Sequence, residues 1–141
     1  MTGADLSHIL EGLTIVVVDD EVDSQEVAAT LLEMCGANII TANDGKEGLE
    51  VIRKHKPVFV ISDLSMPEMS GWEMLHTLKK DRTTLDIPVV ALTAHAMSGD
   101  RERAIMAGFH NYLSKPLSPE NFIRDLLNVV MDIPAIAALV A

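Results

Sequence analysis

Five short apolar runs recur along the chain and alternate with helix-length segments: "TIVVV" (Thr14 to Val18), "NIITA" (Asn38 to Ala42), "VFVIS" (Val58 to Ser62), "PVVALT" (Pro88 to Thr93) and "HNYLS" (His110 to Ser114). Runs of this length, rich in β-branched residues and bounded by turn formers, are strand signals. The segments between them carry helix starts: Asp44 with Glu47, Ser70 with Glu73, Ser98 before "GDRERAIMAG", and Ser118 with Pro119 at the first helical position. The helix after Asp20 stacks Val27, Leu31 and Met34 beside Ala28, Leu32 and Cys35; the last, from Pro119, stacks Phe122, Ile123, Leu126, Leu127 and Val130. The alternation, with several strands apolar on both faces, predicts an α/β domain. Its form is a doubly wound, five-stranded parallel sheet covered by helices on both sides and joined by right-handed crossovers.

At 141 residues the chain suits one domain, since single cores form at roughly 100–200 residues. Lys and Arg number 11 against 21 Asp and Glu, a formal net charge of −10, which opposes direct binding to nucleic acid or anionic lipid. The single cysteine, Cys35, excludes an internal disulfide and sits at helical spacing among core candidates. The N-terminus lacks a secretory pattern, and no apolar stretch approaches the roughly 18 residues of a membrane span. A cytoplasmic location is the expectation.

The first run does not end quietly. "TIVVVDDE" drives a strand into three carboxylates, Asp19, Asp20 and Glu21. In a doubly wound sheet, ligands bind beyond the carboxyl ends of the strands. There the first strand carries Asp19 and Asp20, the third Asp63, the fourth Thr93 and the fifth Lys115. Clustered carboxylates repel one another, and one lysine is too little compensation. A hard divalent cation resolves this, and Mg²⁺ suits a few carboxylates that share a substrate phosphate. A Lys ammonium and a Thr hydroxyl on the same rim can bind the remaining phosphoryl oxygens. Asp63, ending the central strand, is the best placed nucleophile.

"VVVDDE", "VISDLSMPEMSG", "ALTAHA" and "NYLSKP", in this order and spacing, resemble the receiver domain of two-component response regulators, of the chemotaxis-regulator-like, single-domain kind, over roughly Leu13 to Met131. The resemblance implies a (βα)5 flavodoxin-like fold with strand order 2-1-3-4-5. It implies that Asp63 is the phosphoacceptor and that Mg²⁺ is held by Asp20, Asp63 and the backbone carbonyl of Ser65, with Asp19 acting through water. It implies that Lys115 contacts the phosphoryl group, that Thr93 and Tyr112 form the switch, and that the Lys115-Pro116 peptide is cis. Ser65 and His95 flank the site and are expected to tune the acyl phosphate lifetime. The implied donor is a sensor histidine kinase or a histidine phosphotransfer protein, in two-component or phosphorelay signalling. The chain would then be a switch rather than an enzyme, a monomer or a phosphorylation-dependent homodimer.

Bland readings compete at single residues. "VVVDDE" alone reads as an acidic helix start. His8, His55, His76 and His110 lack metal-ligand spacing, and "HTLKK" at His76 is too short a motif to mark a phosphohistidine. A Mg²⁺-dependent aspartyl-phosphate phosphatase is the alternative function, disfavoured because Ser65 stands where its general acid would be. A flavin binder would need a Ser/Thr/Gly-rich phosphate loop after the first strand, where this chain has carboxylates. By extent, residues 1–12 read as an N-terminal extension, 13–132 as the receiver domain and 133–141 as an apolar C-terminal tail, with no output module expected. Pro134 ends the preceding helix. The tail is either a frayed terminus or a docked segment, on its own domain or on a second copy.

Overall fold

A computed structural model describes residues 8–93 and 100–140. The elements run β1 (Thr14–Val18), α1 (Val22–Met34), β2 (Asn38–Ala42), α2 (Gly45–His55), β3 (Phe59–Asp63), α3 (Gly71–Lys79), β4 (Val89–Thr93), α4 (Asp100–Ala107), β5 (Asn111–Ser114), α5 (Phe122–Val130) and α6 (Pro134–Val140). The five strands are all parallel in the order β2-β1-β3-β4-β5. The expected α/β architecture and strand order are therefore those of the molecule.

Burial explains the strand compositions. Every residue of β3 and β4 is buried, whereas the edge strands β2 and β5 are mostly half-buried or exposed. Successive side chains of a strand point to opposite faces. Accordingly Ile15, Val17, Phe59, Ile61, Val90 and Leu92 pack with residues of α1 and α5. Val16, Val18, Val60, Val89 and Ala91 pack on the other face with residues of α2, α3 and α4.

Two helix starts match their sequence signals. Asp44 accepts a hydrogen bond from the Glu47 N–H at 2.8 Å, and Ser70 with Glu73 forms a reciprocal capping box. The start placed at Ser98 lies outside the described residues. Two expectations need correction. The Ser118 carbonyl accepts from both the Asn121 and Phe122 N–H groups, so residues 118–121 form a turn and α5 begins at Phe122, not Pro119. Met34 is 66% exposed, because it lies about 120° around α1 from the buried line of Ala28, Leu32 and Cys35.

Both flanking segments join the core on one face. Leu10 is fully buried, its N–H donating to the Cys35 carbonyl at 2.9 Å. Gly36 permits this approach: at its φ of 92°, an added Cβ would lie 2.9 Å from Glu11 Cα. At the other end Ile133 and Ile136 are buried in the same apolar cluster as Leu10 and Phe122. The tail thus docks on its own domain as α6, with Pro134 as its first residue. His110 Nε2, just before β5, lies 2.7 Å from Asp132 Oδ1 at the α5–α6 junction and fastens it. Among the described residues no helix is long and apolar enough to cross a membrane.

Candidate functional site

β1 hands over to Asp19 without a break: its N–H still donates to the Ala42 carbonyl of β2 at 3.0 Å. The Gln25 side chain then donates to the Asp19 and Ala42 carbonyls, both at 3.0 Å, and clamps the β1–α1 connection to the end of β2. Asp19 is fully buried and Asp20 exposed. Asp63 is the last residue of β3, opposite Leu92 in register. The chain then turns so tightly that a Cβ on Gly71 would overlap the Asp63 carbonyl oxygen, and the Gly71 N–H donates to the Leu64 carbonyl at 3.0 Å. From β5, the Lys115 N–H donates to the Thr93 carbonyl at 2.7 Å, which sets the lysine beside the end of β4. The Lys115-Pro116 peptide is cis.

These connections converge on a cleft of about 200 Å³ lined by Asp20, Glu21, Asp63, Ser65, Thr93 and Lys115. Carboxylate oxygens of Asp19, Asp20 and Asp63 all lie within 4.8 Å of one another. Lys115 Nζ is 3.2 Å from Asp19 Oδ1 and 3.4 Å from Asp63 Oδ2, and it also meets Glu21 Oε1. Among the described residues, one ammonium group thus meets three carboxylates, while the fourth in the cluster, Asp20, is not one of its partners.

The electrostatics carry the imbalance. The Asp63 carboxyl is pushed up to about 6, by burial first, against the pull of Lys115 and with help from the Asp19 charge and the Asp20 side chain. Burial works against the Lys115 charge, yet Glu21, Asp19 and Asp63 outweigh it and raise the ammonium's pKa. Lys115 in turn holds the Glu21 carboxyl below its usual range. Asp19 Oδ2 is buried without a hydrogen bond: the ammonium stands 3.2 Å away, a charge contact that lacks bonding geometry. A buried carboxylate oxygen left over in an acidic cluster is the donor a hard divalent cation takes.

Not every expected residue reaches this cleft. Ser65 does; its N–H lies 3.4 Å from Asp63 Oδ1. Tyr112 pairs with Ala91 in register, two residues short of the Thr93–Ser114 pair. It lines a separate, larger cleft of about 520 Å³ between β5 and α5, where Asp125 is the one carboxylate, so size does not mark the chemistry. His95 lies outside the described residues. Sequence reasoning gave Glu21 no role in the cleft. Its signal was local: Glu is a poor helix N-cap, and Glu21 caps α1 without using its side chain.

Comparison with known proteins bears on most of the chain. A family model for the response regulator receiver domain matches residues 15–127. An uncharacterised 14.6 kDa protein of Leptolyngbya boryana is 36% identical over 82% of this chain and 88% of its own. The polar-differentiation response regulator DivK of Brucella anthropi is 35% identical over 84% of this chain and 97% of its own. Among solved structures, the chemotaxis response regulator CheY4 of Vibrio cholerae matches with a TM-score of 0.77 at 26% identity, over 83% of this chain and 98% of its own. The receiver domain of a sensor histidine kinase from Pseudomonas aeruginosa, which holds a magnesium ion in its active-site cleft, matches with a TM-score of 0.74 at 26% identity, over 84% and 98%.

Proposed function

The chain belongs to the response regulator receiver domain family, and from that premise we propose that it accepts a phosphoryl group on Asp63 from a phosphohistidine donor. The observation that carries this reading is the arrangement at Asp19, Asp20 and Asp63, with Asp19 Oδ2 unbonded and a single ammonium opposite. Asp20, Asp63 and the Ser65 carbonyl would hold Mg²⁺, with Asp19 behind them. The cation would neutralise charge on the phosphoryl oxygens as they approach.

The chain's own residues do the rest. An Asp63 oxygen forms the new P–O bond as the P–N bond to the donor imidazole breaks, and the imidazole departs with that electron pair. Lys115 Nζ, 3.4 Å from Asp63 Oδ2, is within reach of a phosphoryl oxygen there. Thr93, buried on the same rim, turns toward the new charge, and Tyr112 reports that movement to the surface of α4, β5 and α5. Ser65 and His95 tune how long the acyl phosphate survives. The donor is a sensor histidine kinase or a histidine phosphotransfer protein, and the output is a changed protein-binding surface.

The test is mass spectrometry after treatment with a small phosphodonor. We expect one label, on Asp63, formed only with Mg²⁺ or Mn²⁺. A label that persists in Asp63→Asn, or that sits on His76, overturns the reading.

A further inference from the structure

Glu21 occupies the N-cap of α1 with extended backbone, φ −90° and ψ 113°, and its side chain makes no capping bond. Ser, Thr, Asp or Asn would satisfy the helix end from that position, because their oxygens stand close to the backbone. The Glu21 carboxylate is instead thrown across the mouth of the cleft to Lys115 Nζ, joining the β1–α1 loop to the residue that follows β5. Its backbone N–H donates to Asp19 Oδ1 at 2.9 Å, which fixes where the side chain starts. The reach needs the second methylene.

We propose that Glu21 is a positioning residue: it holds Lys115 at the mouth of the cleft, in only weak contact with Asp63, and surrenders it to a phosphoryl group once one is bound there. The inference rests on the phosphoryl-acceptor reading of Asp63 and deepens it.

The geometry around the ammonium supports this. Charge-assisted N–H···O bonds run about 2.7–2.9 Å. Lys115 Nζ is 3.4 Å from Asp63 Oδ2, so its grip on the attacking carboxylate is weak, while the same ammonium also donates to Glu21 Oε1. Asp63 therefore keeps an oxygen available for attack and for a cation. The partners also differ in how easily they let go. The Lys115 side chain is 7% exposed and that of Asp19 0%, but Glu21 is 60% exposed, so water replaces the lysine at Glu21 at little penalty and cannot do so at Asp19. A phosphoryl group brings about −1.5 to −2 charges and strong acceptor oxygens. Against the single, hydrated charge of Glu21, it wins the ammonium.

The experiment is titration of the purified chain with beryllofluoride at saturating Mg²⁺, by calorimetry, in the wild type, Glu21→Gln and Glu21→Asp. Each substitution is repeated in a Lys115→Ala background. Glu21→Gln should tighten binding by about 2- to 5-fold, the range an exposed ion pair spans. Glu21→Asp, which keeps the charge, loses the reach and can cap α1 itself, should behave the same way. Neither should have an effect without Lys115. A second readout is the Lys115 ζ-ammonium resonance, which should move on Glu21→Gln in the metal-free chain and coincide in both chains once the complex forms. Glu21→Asp matching the wild type, an equal gain without Lys115, or an unmoved resonance overturns the proposal and makes Glu21 a through-space charge only. Absence of any Mg²⁺-dependent beryllofluoride binding by the wild type is a different result: it overturns the phosphoryl-acceptor reading itself, and this inference with it.

Discussion

Lys115 Nζ lies 3.4 Å from Asp63 Oδ2, although β3 and β5 are not neighbours and β4 runs between them. Adjacent strands stand about 4.8 Å apart, so the two backbones are separated by roughly twice that. Both connections are pinned to the same end of β4: the Leu64 N–H donates to the Leu92 carbonyl at 3.3 Å and the Lys115 N–H to the Thr93 carbonyl at 2.7 Å. The long lysine side chain closes the remaining gap. A shorter cation at position 115 could not span it.

The pH response of Asp63 follows from its burial. In the folded chain its carboxyl holds a proton up to about pH 6, against an ordinary value of 3.8. Between these values the unfolded chain loses the proton first, so stability falls as pH rises through that window and the loss is complete above about 6. Asp63→Asn should therefore stabilise the metal-free protein at pH 7 by about 1–2 kcal/mol, a figure reduced for solvent screening at the cleft mouth. The gain should vanish near pH 4. Urea denaturation at the two pH values measures both.

Removing divalent cations should lower the midpoint of unfolding. A ligand at about 100 times its dissociation constant stabilises the folded state by about 2.7 kcal/mol. Saturating Mg²⁺ should shift the wild type by that order and Asp20→Asn by much less, since the exposed carboxylate of Asp20 belongs to the three-carboxylate cluster. Thermal melts with Mg²⁺ and with chelator make the comparison.

Ile136 is fully buried within α6. Ile136→Ala should cost about 2–3 kcal/mol, at the low end for a core isoleucine because a terminal helix can settle into the space. Truncation after Asp132 should cost at least as much, since it removes the buried Ile133 together with Ile136 and opens the cluster that holds Leu10. An unchanged denaturation midpoint in both variants would show that α6 contributes nothing to the core.

Gly71 is the tightest backbone position beside the site, with Leu64 Cα and Ser62 Oγ each 3.1 Å from where a Cβ would stand. Gly71→Ala must push the start of α3 away from the end of β3, at about 1–3 kcal/mol. Because that shift moves the Asp63 loop, Mg²⁺ affinity should fall with stability. Calorimetric titration of a variant that still folds tests the link.

Much of this protein is local, and the local part was legible. Strand runs show as consecutive β-branched residues because both faces of β3 and β4 are covered, and the caps at Asp44 and Ser70 show because a capping bond spans only three residues. The polar ends Asp19, Asp63, Thr93 and Lys115 were readable as one edge because parallel strands all point their carboxyl ends the same way. Residues whose roles depend on another part of the chain were not readable. Met34 looked like core because helical periodicity states which residues share a face, not how wide a stripe the neighbours cover. The start of α5 slipped by three residues because Ser118 accepts two bonds and makes a turn first. Leu10 and Ile136 sit at opposite ends of the chain, and only the packed sheet face makes them part of one cluster. Glu21 is the sharpest case: its partner is 94 positions away, and a charge finds its counterion only when the strands that carry both have been assembled.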